Sequence, residues 1–259
     1  MQDYGGAGQL SKDTEELGAS SRPPVLTNAT LNSNVKEGIK KLGIVTIGQT
    51  PRVDLIPEIR PILGEGVQVI ERGALDGLSL KEVGAFYPGK DDDVLITRMA
   101  DGTSVTVAEK YIYPRLKDQV RNLASLGVKT ILIACAGEFP PIDSSSFIVY
   151  PQRVLHHVVA SLAQGLKLGV LIPDKLQVIS AQKRWSTAAA EVVVEAASPY
   201  LDIQQVVSAA DSLLVSQVDI VVMDCMGYTL GMKDLVSKHI GKPVLLTRSI
   251  TAKVVSELL

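Results

Sequence analysis

The sequence predicts an α/β protein of two pseudo-symmetric lobes, each with a mainly parallel sheet flanked by helices, and a functional site in the cleft between them. Three observations lead there. Short β-branched runs alternate with segments of helical period, which implies parallel strands covered on both faces. One strand opening, Lys41-Leu42-Gly43-Ile44-Val45, is echoed by Lys167-Leu168-Gly169-Val170-Leu171. The run Thr130-Ile131-Leu132-Ile133-Ala134, which ends in Cys135-Ala136-Gly137, has a counterpart in Ile220-Val221-Val222-Met223-Asp224, which ends in Cys225-Met226-Gly227.

Residues 1–40 are rich in Gly, Ser, Asn, Thr and charge, with Val25-Leu26 as their only apolar cluster. So little burial does not offset the entropy of ordering, and a disordered tail is expected. Its Asn28-Ala29-Thr30 triplet has the glycosylation spacing but no secretory signal to give it meaning. The run 42–47 reads as a buried strand stopped by Gly48, and the turn at 49–54 offers Thr50 or Pro51 to open a helix. Further strands are expected at 67–70, 128–134, 146–149, 166–172, 203–207, 218–223 and 243–246. Helical period appears at Leu116, Val120, Leu123 and Leu126, and again at Val154, Leu155, Val158, Val159 and Leu162. The runs 94–98 and 103–107 flank Asp101-Gly102, a pair that favours an antiparallel hairpin. These readings divide the chain into a tail (1–40), an N-terminal lobe (41–165) and a C-terminal lobe (166–259) whose last helix packs back on the first.

Composition narrows the function classes. The 259 residues are 46% apolar, and 26 Lys and Arg against 28 Asp and Glu leave a formal charge of −2. With aromatics at 4%, neither the basic field nor the stacking platforms of nucleic-acid binders are present. No apolar run approaches the roughly 20 residues that cross a bilayer, so no membrane partner is expected. The expected compartment is the cytoplasm, where two cysteines are more often thiols than a bridge. Gly84-Ala85-Phe86-Tyr87-Pro88-Gly89-Lys90 has phosphate-loop spacing, but acids follow at Asp91, Asp92 and Asp93 and would repel phosphate. No dinucleotide fingerprint or metal-ligand spacing is found, so neither cofactor nor metal is expected.

The matching cysteines carry the chemistry. If the halves are duplicates, each places one thiol at the carboxyl end of a strand, where open α/β sheets hold ligands, and facing lobes bring the thiols to opposite walls of one cleft. The glycines that follow, Gly137 and Gly227, let the backbone approach a ligand and offer N–H groups, with Ala136 and Met226 beside them.

Further motifs carry a resemblance. Ile47-Gly48-Gln49-Thr50-Pro51-Arg52, the pair Pro151 and Arg153, Ala181-Gln182-Lys183 with Trp185, Asp224-Cys225-Met226-Gly227-Tyr228, and Lys242-Pro243-Val244-Leu245-Leu246 together resemble the AroM family over residues 41–259. That family is similar in turn to the aspartate/glutamate/hydantoin racemases, whose two lobes present paired cysteines across a cleft. The resemblance implies Cys135 and Cys225 as the pair. The amino-acid racemases carry Cys-Asn-Thr where Cys135-Ala136-Gly137 stands, and Gly-Cys-Thr-His where Asp224-Cys225-Met226-Gly227 stands.

Two opposed thiols suit inversion at a carbon acid without a cofactor: one thiolate takes a proton from one face while the other thiol returns one to the opposite face. A base of this kind needs a neighbouring cation or amide-rich surroundings. Arg52 is the first candidate to grip a substrate carboxylate, with Gln49 and Thr50 as donors to the same group. Arg248, which alternatively closes the last helix against the core, Lys183 and Tyr228 complete the set, and Asp224 is a strand-end carboxylate expected to raise or orient the neighbouring Cys225 if it does not point to the opposite side. The expected function is a racemase, epimerase or related isomerase acting on a small carboxylate or cyclic amide-like acid. A decarboxylase or lyase using one thiol as proton donor, and a binding protein on the same scaffold, are the alternatives. A homodimer is the default expectation for such an enzyme.

Overall fold

Two four-stranded parallel sheets, each wrapped by helices, make up a computed structural model that describes residues 39–259. The expected tail and the Asn28-Ala29-Thr30 triplet lie outside the described residues, except for Ile39 and for Lys40, the first residue of strand β1. The first sheet is built from β1 (Lys40–Thr46), β2 (Val67–Gly73), β5 (Thr130–Ile133) and β6 (Phe147–Val149), in the order β2-β1-β5-β6. Helices α1 (Ile56–Leu63), α2 (Leu80–Gly84) and α3 (Glu109–Ser125) belong to this half. Between α2 and α3 the chain makes the expected hairpin, β3 (Val94–Arg98) against β4 (Ser104–Ala108), with Gly102 at φ 90° in the turn, a conformation that favours glycine.

The second half continues through α4 (Pro151–Ala163), β7 (Lys167–Ile172), a 3-10 turn (Lys175–Gln177), α5 (Val178–Trp185) and β8 (Glu191–Ala196). It ends with α6 (Ile203–Val215), β9 (Ile220–Met223), α7 (Leu230–Ile240), β10 (Val244–Leu246) and α8 (Thr247–Glu257). Its sheet runs β8-β7-β9-β10, the same order as the first when β7 is matched to β1 and β9 to β5.

The repeat extends to side chains. Gly43 pairs with Ile131, and Gly169 with Val221. A Cβ at Gly43 would stand 2.8 Å from Leu123 of α3, and one at Gly169 would stand 3.1 Å from Leu213 of α6. The Lys-Leu-Gly echo therefore marks where a helix lies closest to the central strand of each sheet.

The two halves also exchange helices. Leu155, Val159 and Ala163 of α4 pack with Leu168, Val170 and Ile172 of the second sheet, whereas Ala252 and Val255 of α8 pack with Leu42, Ile44 and Ile59 of the first half. At roughly 1.5–3 kcal/mol for each fully buried large aliphatic side chain, this crossing fixes the sheets to each other and not only to their own helices.

Two expected elements need correction. Residues 203–207 open α6 and are not a strand: Asp202 accepts from the Gln204 N–H as N-cap, and Val206, Ala209, Ala210 and Leu213 form a buried helical stripe. The missing strand is β8, Glu191–Ala196, on the sheet edge. The first helix starts at Ile56, beyond the Thr50 and Pro51 expected to open it. Among the described residues, no helix is long and apolar enough to cross a membrane.

Candidate active site

Residues that follow the strands of both sheets meet around one cavity of about 110 Å³. At roughly 10–15 Å³ per water centre, that is space for on the order of eight waters or one compact organic molecule. Cys135, Ala136, Gly137 and Glu138, just after β5, form one part of the wall, and Asp224 and Cys225, just after β9, form another. The rest comes from Asp93 and β3, Glu109 at the start of α3, Ile172 and Pro173 after β7, and Gln177, Ser180 and Arg184 along the turn of α5.

The duplication repeats itself at the sulfurs. Gly137 donates its N–H to Cys135 Sγ at 3.3 Å, and Gly227 donates to Cys225 Sγ at 3.3 Å. Both cysteines are free thiols. Burial raises both, and the neighbouring charges differ. Burial pushes Cys135 up to about 12, relieved by the Gly137 N–H and reinforced by the nearby Cys225, Glu109 and Asp224. Burial pushes Cys225 up to about 11; Asp224 adds to this, while the Gly227 N–H and the guanidinium groups of Arg52 and Arg248 oppose it. Both sulfurs are thus protonated at neutral pH, and Cys225 is the more acidic.

Asp224, immediately before Cys225, is buried, and its Oδ2 accepts from Arg184 Nη2 and from Trp185 Nε1, both at 2.8 Å. Arg184 also lies 4.0 Å from Glu138, so one guanidinium stands between carboxylates from the two halves. Asp224 Oδ1, Arg184 Nε and Gln177 Oε1 are buried without partners. Glu109 is raised to about 7, first by burial and then by the charges of Asp93 and Glu138.

Five of the nominated residues, Cys135, Ala136, Gly137, Asp224 and Cys225, are on the cavity wall. The others serve elsewhere. Arg52 is buried and fully engaged: Nε and Nη2 grip Asp54 at 2.8 Å each, and Nη1 donates to Thr46 Oγ1. Gln49 ties loops together, donating to the Leu75 and Leu78 carbonyls and accepting from the Ala100 N–H. Thr50 is held through its N–H and hydroxyl by Asp76. Met226 is a core residue, Gly227 lies under Tyr200, and the Tyr228 hydroxyl donates to the Ala197 carbonyl inside the core. Arg248 is buried, donating to Glu58 and to the carbonyls of Asp54, Met226 and Gly227. Its role is the alternative one, closing α8 against the core.

Lys183 is exposed, and its neighbour Arg184 takes the place expected of it. The signal was available: the buried Ala181 and Trp185 define the covered face of α5, from whose centre Arg184 is turned about 80° and Lys183 about 180°. Sequence reasoning also missed Asp93, Glu109, Glu138, Gln177 and Ser180, which reach the cavity from separate segments.

The sequence model of the AroM protein family matches residues 42–259. The chain belongs to the AroM family. None of the curated proteins matches it. Among solved structures it is similar to allantoin racemase from Klebsiella pneumoniae, at 12% identity over 84% of this chain and 86% of that one, with TM-score 0.54. It is also similar to the maleate isomerase Iso from Pseudomonas putida S16 (12%, 84% and 92%, TM-score 0.56) and to aspartate racemase from Picrophilus torridus (14%, 85% and 94%, TM-score 0.53). At these identities the likeness concerns the fold, and this AroM-family chain has the fold of the racemases and isomerases.

Proposed function

We propose that this AroM-family protein is a cofactor-independent racemase or epimerase that moves a proton at a carbon acid held between Cys135 and Cys225. The observation that carries the reading is the single small cavity lined by both thiols at equivalent strand ends. The fold likeness to proteins named racemases and isomerases supports it by analogy.

Cys225, whose thiolate the charges of Arg52 and Arg248 favour, is the base. Its thiolate removes the proton next to the substrate carbonyl or carboxylate, and the Cys135 S–H delivers its own proton to the opposite face. The product leaves a Cys225 thiol and a Cys135 thiolate, which the reverse reaction or exchange with water resets. A thiol at about 11 is thiolate in only about one molecule in 10⁴ at neutral pH, a cost on the order of 5 kcal/mol. The same shift makes that thiolate a stronger base toward a weakly acidic C–H, so scarcity and basicity work against each other.

Incubating the protein with chiral carbon acids in deuterated water tests this. Label is expected at the inverted centre, and Cys135→Ser and Cys225→Ser should each abolish inversion. Inversion surviving in either variant overturns the proposal. A second reading is favoured by the protonated state of both sulfurs: one thiol protonates a carbanion left by decarboxylation or bond cleavage. There only one serine variant loses activity, and carbon dioxide or a fragment is released. Ligand binding without chemistry in either assay would leave a binding protein.

A further inference from the structure

We propose that the substrate of this cavity carries at most one carboxylate and presents N–H donors, from an amide, ureide or ammonium nitrogen, to the wall around it. The inference rests on the proposed isomerase site and names its substrate class.

Charge on the wall is lopsided. Asp93, Glu109, Glu138 and Asp224 line the cavity against one cation, Arg184. The other arginines near the thiols are not available: Arg52 is locked to Asp54 and Thr46, and Arg248 to Glu58 and three carbonyls. Arg184 is itself shared with Asp224 and Glu138. A ligand with two carboxylates would therefore meet one partly neutralised guanidinium and a ring of like charge.

The unpartnered atoms point the same way independently. The Asp224 side chain is wholly buried, and its Oδ1 accepts nothing; Gln177 Oε1 is likewise a buried acceptor without a donor, while Arg184 Nε is a donor without an acceptor. Buried polar atoms are normally paired, so three such atoms on residues of one cavity wall mark where a ligand completes the network. Two acceptors and one donor ask for a ligand with N–H groups and one oxygen end. A ligand that turns these side chains toward itself gives its carbonyl or single carboxylate to Arg184, its N–H groups to Asp224 and Gln177, and leaves the outer acids, Asp93 and Glu138, to repel a second anion.

The Cys135→Ser/Cys225→Ser double variant allows binding to be read without turnover. Calorimetric titrations would use 5-methylhydantoin and alanine as N–H probes and methylmalonate as the two-carboxylate probe. At about pH 8 at least one N–H probe is expected to bind about tenfold more tightly than methylmalonate. At about pH 6 the gap should narrow, because Glu109, which shares the cavity with Asp93, Glu138, Arg184, Asp224 and the thiol positions, takes up a proton. Asp93→Asn with Glu138→Gln, both at exposed positions, should also narrow it, by improving methylmalonate binding several-fold. Methylmalonate binding as tightly as either N–H probe, or neither N–H probe binding at about 10 mM, overturns the inference. Selective N–H binding here without deuterium exchange in the unaltered protein would instead remove the isomerase reading and leave the substrate class standing.

Discussion

Replacing Arg248 with Met should cost this protein about 3–5 kcal/mol of stability, a large share of the 5–15 kcal/mol typical of a folded domain. The magnitude follows from what the guanidinium holds. Nη1 donates to the Glu58 carboxylate and to the Asp54 carbonyl at 2.9 Å, while Nε and Nη2 donate to the Met226 carbonyl at 3.1 and 2.9 Å, and Nη2 also reaches Gly227 O at 3.2 Å. Methionine fills much of the same space and leaves three carbonyls and a carboxylate behind. Each buried acceptor that loses its donor costs about 1–3 kcal/mol, but Glu58 is partly exposed and can rehydrate, which keeps the sum near the lower values. Equilibrium unfolding in urea, followed by the fluorescence of Trp185, the only tryptophan in the chain and fully buried, measures the difference. A loss below about 1 kcal/mol would refute the reasoning, because it would mean the carbonyls find other donors at no cost.

Trp185→Phe removes the indole N–H from the buried Asp224 carboxylate and shrinks a core side chain; a loss of about 2–4 kcal/mol in thermal unfolding is expected, against nearly none if Arg184 alone suffices. Gly227→Ala places a Cβ 2.6 Å from Tyr200 Cζ and 2.8 Å from Pro199 Cγ, so it should destabilise by about 1–3 kcal/mol, whereas Gly231→Ala on α7, whose nearest contact is 3.8 Å, should be neutral or stabilising in the same urea assay. Glu109 in the folded protein keeps its proton up to about 7, while the unfolded chain releases it near 4.5. Stability should therefore fall as pH rises through that window, and Glu109→Gln should gain melting temperature over the wild type between about pH 4.5 and 7 and hold the gain above it; parallel curves would remove Glu109 from the buried acid cluster.

The alternation of strand and helix was legible because Val, Ile and Leu in central strands are buried on both faces, leaving near-continuous apolar runs at β1, β5, β7 and β9. Strand β8 escaped because it lies on an edge and its residues are only partly buried, with glutamates at 191 and 195 breaking the run. Its place was given to 203–207, where the apolar cluster is one turn of a helix whose period shows only when Ala209, Ala210 and Leu213 are counted with it. In the site, the cysteines were readable because a strand end is a local feature and the duplication repeated it. Arg52 was not readable as a structural residue: its partner Asp54 is two positions away in a loop, and no periodicity predicts that pairing. The acids at Asp93 and Glu109 reach the cavity through the hairpin and the helix that follows it, a long-range convergence that a linear pattern does not encode.

Duplication made the thiols equivalent in position, and the later fill of each half made them unequal. The charges of Arg52 and Arg248 favour the Cys225 thiolate, and those of Glu109 and Cys225 oppose the Cys135 thiolate, although Arg184 stands near Cys135 and Asp224 opposes both. In the proposed reaction this inequality would assign each sulfur its own task, since a base should ionise first and a proton donor should stay protonated. Titrating ¹³C-labelled cysteine Cβ resonances in the two single-thiol variants tests this division. In Cys135→Ser the remaining Cys225 should begin to ionise at lower pH than Cys135 does in Cys225→Ser. The gap should be somewhat less than the unit between about 11 and about 12, because Cys225→Ser also removes the thiolate charge that raises Cys135. Adding Arg248→Met to the first variant should move Cys225 upward toward Cys135. If Cys135 ionises first, the assignment of base and acid is reversed, and the guanidinium groups behind Cys225 serve only to hold the two halves together.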